Sequence, residues 1–571
     1  MKWSQLLKYT LLAQSARGAA VSQEEEKEQI PKVLKLSFDK RYGENYEESF
    51  LGKRDAAPLF KRQDGEYELT LRNRQNFYSV DLEVGTPPQK VTVLLDTGSS
   101  DLWITGSDNP YCMSNSRSSK KRDSGDGDLF SEMGQGGGGA IYKTLTVTGG
   151  DVGNGFSGMS GMSGILPTET TGGGSGGGSS ATGSSSSGGG RSIDCSKYGT
   201  FNKNKSSTFQ SNNSAFDITY GDGSFTSGEW GRDHIELGSL NISDVSIAVA
   251  NESNSSVGVL GIGLPGLETT YSSGQSVDSG DRHTYANFPM VLQQHGVTKK
   301  NVYSLYLNSP DATNGSILFG AVDKSKFNGN LYTIPILNVY KSRGVSQPIQ
   351  FDVTLQGLGM SNKTGRTTFS TTKIPALLDS GSTLAYLPDD LLEMLAEGLG
   401  ATYSSTNNFY VMDCPSKHDD TKIVFNFGGF NIETNLTSYT TQISSDSCVL
   451  GIFPSGDSSA ILGDAFLVHA YVVYDLEDYE ISMAQANFDA DNEDIEVVSS
   501  SVPQATAAAG YSSTYTSSKS ITPGGNIFSS GTLSGSASNT ASDGNKSKNM
   551  AAATAPTSLL ATIVFAISMF F

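Results

Sequence analysis

Two segments of this chain repeat one another at positions 283 residues apart. Lys90-Val-Thr-Val-Leu-Leu-Asp96-Thr-Gly-Ser-Ser-Asp-Leu-Trp-Ile104 and Lys373-Ile-Pro-Ala-Leu-Leu-Asp379-Ser-Gly-Ser-Thr-Leu-Ala-Tyr-Leu387 align without gaps and share six of fifteen residues. Each is an apolar run that ends in an aspartate and passes at once into a Gly-containing turn. A second echo accompanies the first: Val259-Leu260-Gly261 and Ile461-Leu462-Gly463. Gly463 lies 84 residues after Asp379. Gly261 lies 165 after Asp96, of which 82 belong to an insertion described below, leaving 83. Matching spacing in both halves predicts two similar lobes, each with one Asp loop beside a Leu-Gly segment. The triplet Asp-Ser-Gly also occurs at Asp123 and Asp278, but in polar, Gly-rich surroundings that read as loops.

Around and between the repeats, short apolar and β-branched runs broken by Gly, Asn, Asp and Pro recur from Phe77 onward, as at 78–84, 91–95, 216–220, 245–249 and 471–474. This pattern predicts an all-β fold. Helical periodicity is scarce, and 389–397 is the best candidate. The formal net charge of −19 argues against a nucleic-acid partner and suits a positively charged substrate. The five histidines are scattered, so no metal site and no cofactor is expected. The four cysteines form a far pair, Cys112 and Cys195, and a near pair, Cys414 and Cys448. They suit two disulfides in an oxidising compartment. Nine Asn-x-Ser/Thr sequons, at Asn204, Asn212, Asn241, Asn251, Asn254, Asn314, Asn362, Asn435 and Asn545, favour secretion.

The chain divides by composition. Residues 1–20 read as a signal peptide and 21–62 as a charged propeptide ending in Lys53-Arg54 and Lys61-Arg62, with processing after Arg62. An N-terminal lobe is expected over 63–335 and a C-terminal lobe over 336–490. Residues 113–194 hold Lys120-Lys121-Arg122 and long Gly/Ser tracts, a composition expected to form a disordered insertion. A disulfide between Cys112 and Cys195 would close its base. The span 491–549, Ser/Thr/Ala/Gly-rich from 499, reads as a glycosylated stalk, and 550–571 as a glycosylphosphatidylinositol (GPI) anchor signal, with attachment expected at Asn549, and Asn545 and Gly544 as the alternatives.

Two carboxylates brought together at a lobe interface cannot both ionise cheaply. They share a proton, so one acts as a base and the other as an acid. Such a pair activates a water for attack on a peptide carbonyl. Gly98 and Gly381 are expected to let the backbone turn sharply and present amide donors. Ser99 and Ser382 are expected to bond the outer carboxylate oxygens. A Gly-x-Ser-x-Gly string at 173–177 lies in the Gly/Ser tract without the strand and helix that would make it a hydrolase nucleophile. A non-catalytic wall or adhesion protein is the rival reading, and no residue at the paired aspartates favours it.

On these motifs, together with Asp217-Ile-Thr-Tyr220-Gly-Asp222-Gly-Ser224, residues 76–490 resemble the pepsin-type aspartic proteases. The resemblance implies a bilobal β fold with its active site in the cleft between two pseudo-symmetric lobes, and Asp96 and Asp379 as the catalytic pair. It implies a flap whose Tyr220 covers the substrate and bonds Trp103. The propeptide, dibasic sites, Cys-bounded loop, stalk and tail are similar to those of the yapsins, fungal surface proteases that cleave after basic residues. That resemblance implies protein or peptide substrates cut after Lys or Arg, with Asp222 facing the basic side chain. It further implies attachment to the plasma membrane or wall through a GPI anchor. The expected form is a monomer, or two disulfide-linked subunits after cleavage at Arg122.

Overall fold

In the computed structural model the described residues are 33–42, 60–61, 67–68, 76–112, 193–220, 224–238, 240–272, 283–405, 409–416, 418–456, 459–490 and 492–529. Arg62, Arg122, Asp222 and Asn549 lie outside them, as do the expected signal peptide, nearly all of the 113–194 insertion and the expected anchor signal.

The fold is all-β and bilobal, and the sequence duplication is visible in its strand pairings. In the first half, Gln89–Asp96 runs antiparallel to Asn76–Val84 and parallel to Gly258–Gly261, which in turn pairs antiparallel with Leu102–Thr105. In the second, Ile374–Leu378 runs antiparallel to Asp352–Leu355 and parallel to Ala460–Leu462, which pairs antiparallel with Ala385–Leu387. Each aspartate-bearing strand is therefore flanked by its own Leu-Gly strand, with Asp96 opposite Gly261 and Leu378 opposite Leu462. Strands buried on both faces read as unbroken apolar runs, and 91–96 and 374–378 are buried throughout. The expected helix is present as Asp389–Leu399. It opens with Asp389 and Asp390 in its first turn and stops at Gly400, whose φ of 69° ends it in the left-handed conformation.

The lobes are not separable at residue 335. Val302–Tyr306 and Phe327–Pro335, from the first half, pair with Ala470–Asp475 and Glu480–Ala486 from the second, inside one 14-stranded sheet. This shared sheet ties the two aspartate loops to a common base.

Two segments depart from the sequence expectation. The β pattern does not begin at Phe77. Leu34–Tyr42, inside the span assigned to the propeptide, is a strand seated between Asn314–Phe319 and Asn76–Val84. Leu34, Leu36 and Phe38 are buried on one face, whereas Lys35, Ser37 and Asp39 are exposed.

The second departure is at the other end. The span 491–549 is not a stalk from its first residue: through Ser529 it is packed on the fold. Ile495–Val497 pairs with Ala321–Asp323, and Ala505–Ala507 adds a parallel strand to the edge of the large sheet. The chain then crosses the second lobe. Gln356 Nε2 donates to the carbonyls of Gly510 (3.2 Å) and Ser513 (3.0 Å), and Tyr511 Oη donates to Glu480 Oε1 (2.5 Å). Gly524 N–H donates to Phe369 O (2.9 Å), and Ser370 Oγ donates to Thr522 O (2.7 Å). Ile527 is buried in a socket floored by glycines. A Cβ on Gly357 would lie 2.6 Å from Ile527 Cγ2, and one on Gly359 2.8 Å from Ile527 Cδ1. A polar, Ser/Thr-rich strap is held mainly by backbone hydrogen bonds, which need no apolar side chains.

Candidate active site

Asp96 ends the Gln89–Asp96 strand, and Asp379 follows directly on Ile374–Leu378. Both are buried, 4% and 1% exposed. They are held alike. Gly98 N–H donates to Asp96 Oδ1 (2.7 Å) and Ser99 Oγ to Asp96 Oδ2 (2.5 Å); Gly381 N–H donates to Asp379 Oδ1 (2.9 Å) and Ser382 Oγ to Asp379 Oδ2 (2.7 Å).

Gly98 and Gly381 present amide donors at a bend and a turn as expected, and the structure adds a second reason for them. Neither Gly98 nor Gly381 has a positive φ, so no left-handed turn demands them. The requirement is space. A Cβ on Gly98 would sit 2.4 Å from Asp379 Oδ1, and one on Gly381 would sit 2.4 Å from Asp96 Oδ1. Each glycine lets the opposite carboxyl approach, so the inner oxygens of the two aspartates face one another across the lobe boundary.

The loops are also joined through the residues just after the aspartates, which sequence reading did not single out. Ser380 N–H donates to Thr97 Oγ1 (2.9 Å), whose hydroxyl donates to Leu378 O (3.0 Å). Reciprocally, Thr97 N–H donates to Ser380 Oγ (3.1 Å), which donates to Leu95 O (3.1 Å). The signal was present in the duplication: both copies carry a hydroxyl residue at this position.

Burial, and after it the negative charge of Asp96, pushes the Asp379 carboxyl well above the usual carboxylate range, while the Ser382 and Gly381 donors pull it down. The pair therefore retains a proton under conditions where isolated carboxyls have lost theirs. A third carboxyl stands nearby. Asp464 is buried and raised by desolvation, with Lys40 of the Leu34–Tyr42 strand opposing the shift and the two aspartates adding to it. Burial draws the Lys40 ammonium down, against the pull of Asp464 and Asp311, and its Nζ donates to Pro310 O at 2.9 Å.

Within the first lobe, Trp103 Nε1–H donates to Tyr220 Oη at 2.5 Å, bringing together two residues 117 apart in sequence. Tyr220 N–H donates to Ser224 O (2.8 Å), next to the antiparallel pairing of Gln210–Thr219 with Phe225–Leu237. Both disulfides are formed: Cys112–Cys195 (Cα–Cα 5.4 Å) and Cys414–Cys448 (4.9 Å). The first, with Ile193 N–H donating to Tyr111 O (2.7 Å), closes the base of the insertion.

The sequence matches a known family model, eukaryotic aspartyl protease, over residues 77–133 and 176–486. The chain belongs to that family. Aspartyl proteases with which it shares most of its length include aspartic proteinase 3 of Saccharomyces cerevisiae, 50% identical over 507 residues (87% of this chain, 85% of that protein). Aspartic proteinase yapsin-3 of the same yeast is 43% identical over 476 residues (83% and 78%). Secreted aspartic protease 9 of Candida albicans is 34% identical over 507 residues (82% and 87%). The chain is thus an aspartic-type endopeptidase of yapsin type, and its substrates are peptides.

Proposed function

We propose that this aspartic endopeptidase works at the cell surface, cutting surface and wall proteins after Lys or Arg with Asp96 and Asp379 as its catalytic pair. The observation that carries the assignment is the reciprocal geometry of the two loops, in which each glycine leaves room for the opposite carboxyl. In the proposed reaction the ionised carboxylate takes a proton from a water as its oxygen attacks the peptide carbonyl carbon. The protonated carboxyl gives its proton to the carbonyl oxygen. As the tetrahedral intermediate collapses, the C–N bond breaks, the leaving nitrogen takes up a proton from one carboxyl and a hydroxyl of the intermediate gives its proton to the other, so that a carboxyl product leaves and the pair again holds one proton. Ser99 and Ser382, bonded to the outer oxygens, keep both carboxyls oriented through the cycle. Tyr220, tied to Trp103, covers the substrate.

Surface location is supported by the sequons, the two disulfides and the Ser/Thr-rich C-terminal sequence with its apolar end. A relative named as a secreted protease agrees with it. In this reading residues 1–20 direct export, 21–62 are removed after Arg62, cleavage at Arg122 leaves two subunits joined by Cys112–Cys195, and Asn549 takes the lipid anchor once 550–571 are removed.

Preference for basic residues is supported by the net charge of −19 and by Asp222 two positions beyond Tyr220. The test is cleavage of peptides containing Lys-Arg, a single Lys or Phe-Phe at pH 4 and pH 6, each with and without pepstatin. Pepstatin-sensitive cutting after the basic residues is expected. Asp222→Thr is expected to lower kcat/KM for the Lys-Arg peptide about 10- to 100-fold, the loss of one charge pair, and to change the Phe-Phe peptide less than about threefold. Equal losses on both peptides would remove Asp222 from specificity.

A further inference from the structure

The aspartate loop of the first lobe runs on into a second group of ionisable side chains that the proposed reaction does not use. Asp101 is 2% exposed and Glu268, just after the Pro265–Leu267 turn, is fully buried. Between them lies Tyr285. Its Oη donates to Asp101 Oδ1 at 2.7 Å and its backbone N–H to Glu268 Oε2 at 2.7 Å. Asp101 Oδ2 also accepts from Thr269 N–H at 3.0 Å. Two carboxyls from separate parts of the lobe therefore hold one tyrosine by its two ends.

That tyrosine is a packing element. Its ring meets Trp230 edge to face at 5.2 Å, and Trp230 meets Phe216 in the same way at 5.2 Å. Phe216 lies in Gln210–Thr219, the strand that delivers Tyr220, and all of these rings belong to one core with Trp103. Two routes connect Asp101 to Tyr220. One runs along the chain through Trp103, whose indole N–H bonds Tyr220. The other runs through space by Tyr285, Trp230 and Phe216. Aromatic edge-to-face pairs are directional, so a ring that loses its anchor changes the placement of the next.

We propose that Asp101 and Glu268 clasp Tyr285 as a positioning residue for the flap, fixing through Trp230 and Phe216 where Tyr220 sits. It acts on Tyr220 rather than on the reacting atoms, and goes beyond the assignment of the catalytic pair. The groups that bear on it are few. Asp101 acts on Glu268, and both act on Tyr285; Thr269 donates to Asp101. Burial is the leading cause of every shift. It pushes Asp101 up to about 6 and Glu268 up to about 9, and holds the Tyr285 phenol well above its ordinary value, so that it remains a donor.

The sign follows from proton linkage. The folded state binds these protons more tightly than the unfolded chain, in which both carboxyls ionise near pH 4. The stability that these two bound protons contribute is complete below that pH. It declines as pH rises, first through the ionisation of Asp101 near 6 and then through that of Glu268 near 9.

The experiment compares the full chain with Glu268→Gln, Asp101→Asn and Tyr285→Phe. Melting temperature is read from pH 4 to pH 8, and kcat and KM for one peptide across the same range. Melting reads the clasp without activity, so its failure is distinguishable from failure of the catalytic assignment. We expect Glu268→Gln and Asp101→Asn to flatten the fall in melting temperature with pH relative to the unsubstituted protein. The aspartate pair contributes equally to both sides of that comparison. Tyr285→Phe, which keeps the ring and the backbone bond, is expected to raise KM at least threefold at pH 4 with kcat falling less than twofold. If either carboxamide variant does not fold, the other and Tyr285→Phe carry the test. A melting temperature at pH 4 unchanged in both carboxamide variants, or an unchanged KM in Tyr285→Phe, would overturn the proposal.

Discussion

Asp96→Asn is expected to lower kcat/KM by about 10³-fold or more on any peptide the protein cuts, and Asp379→Asn to do the same. Removing one partner of an acid–base pair forfeits proton transfer in the transition state, a contribution of about 10² to 10⁴. Here it also removes the ionised or protonated member that its neighbour depends on. The substitutions are mild for the fold. An asparagine oxygen can still accept from Gly98 or Gly381 N–H, its amide can donate to Ser99 or Ser382 Oγ, and the Thr97–Ser380 bonds joining the loops are untouched. Circular dichroism should therefore be unchanged while activity is lost. A second readout separates loss of chemistry from loss of structure. Because burial and the neighbouring charge raise Asp379, its proton stabilises the folded state at low pH, and that contribution is lost as pH rises through the raised value. Either asparagine variant should melt with less pH dependence than the unsubstituted protein between pH 4 and pH 8. A variant retaining more than about a tenth of the activity would transfer the catalytic role to another residue, and Asp464 would be the next one to examine.

The parts of this fold that were legible in the sequence are those in which identity is dictated by geometry twice over. An aspartate must follow a strand buried on both faces, a glycine must stand where the opposite carboxyl comes within 2.4 Å of the missing Cβ, and a Leu-Gly strand must lie beside each loop. Gly261 and Gly463 show why the second echo kept its spacing. A Cβ on Gly261 would meet Ser100 and Asp101 N at 2.6 Å, and one on Gly463 would meet Ser382 and Leu384 O at 2.3 Å. The reason first assigned to Gly98 and Gly381 was a turn, because a single sequence shows a glycine but not what approaches it.

What stayed hidden had a local pattern of the wrong kind. Leu34, Leu36 and Phe38 alternate with polar residues as a half-buried strand should, but they sit in a charged stretch, and charge dominated its reading. The Asp101–Tyr285–Glu268 clasp joins residues as far as 184 apart and has no local signature.

The strap was the largest misreading, and it leads to the second large effect. Ending the chain at residue 503 is expected to lower the melting temperature by about 10 °C or more, or to prevent secretion, whereas a chain ending at 529 should melt like the full-length protein. Three terms are lost together. The Ala505–Ala507 strand leaves an open sheet edge at Leu331–Thr333. Removing Ile527 uncovers the floor at Gly357 and Gly359. Backbone carbonyls of the second lobe such as Phe369 O lose their donor. Ile527→Ala in the full chain should cost about 2 kcal/mol, at the lower end for a buried isoleucine because the socket is near the surface. Gln356 provides the decisive control, since its amide reaches only to the strap in the bonds it donates, to Gly510 O and Ser513 O. Gln356→Ala should destabilise the full chain by about 1–3 kcal/mol, the cost of two lost bonds and an emptied site, and should have almost no effect in the chain ending at 503. Equal costs in both backgrounds would mean that Gln356 stabilises the second lobe by itself and that the strap rests on it without contributing. A cost confined to the full chain would make residues 505–529 part of the catalytic fold, with any stalk beginning only after them.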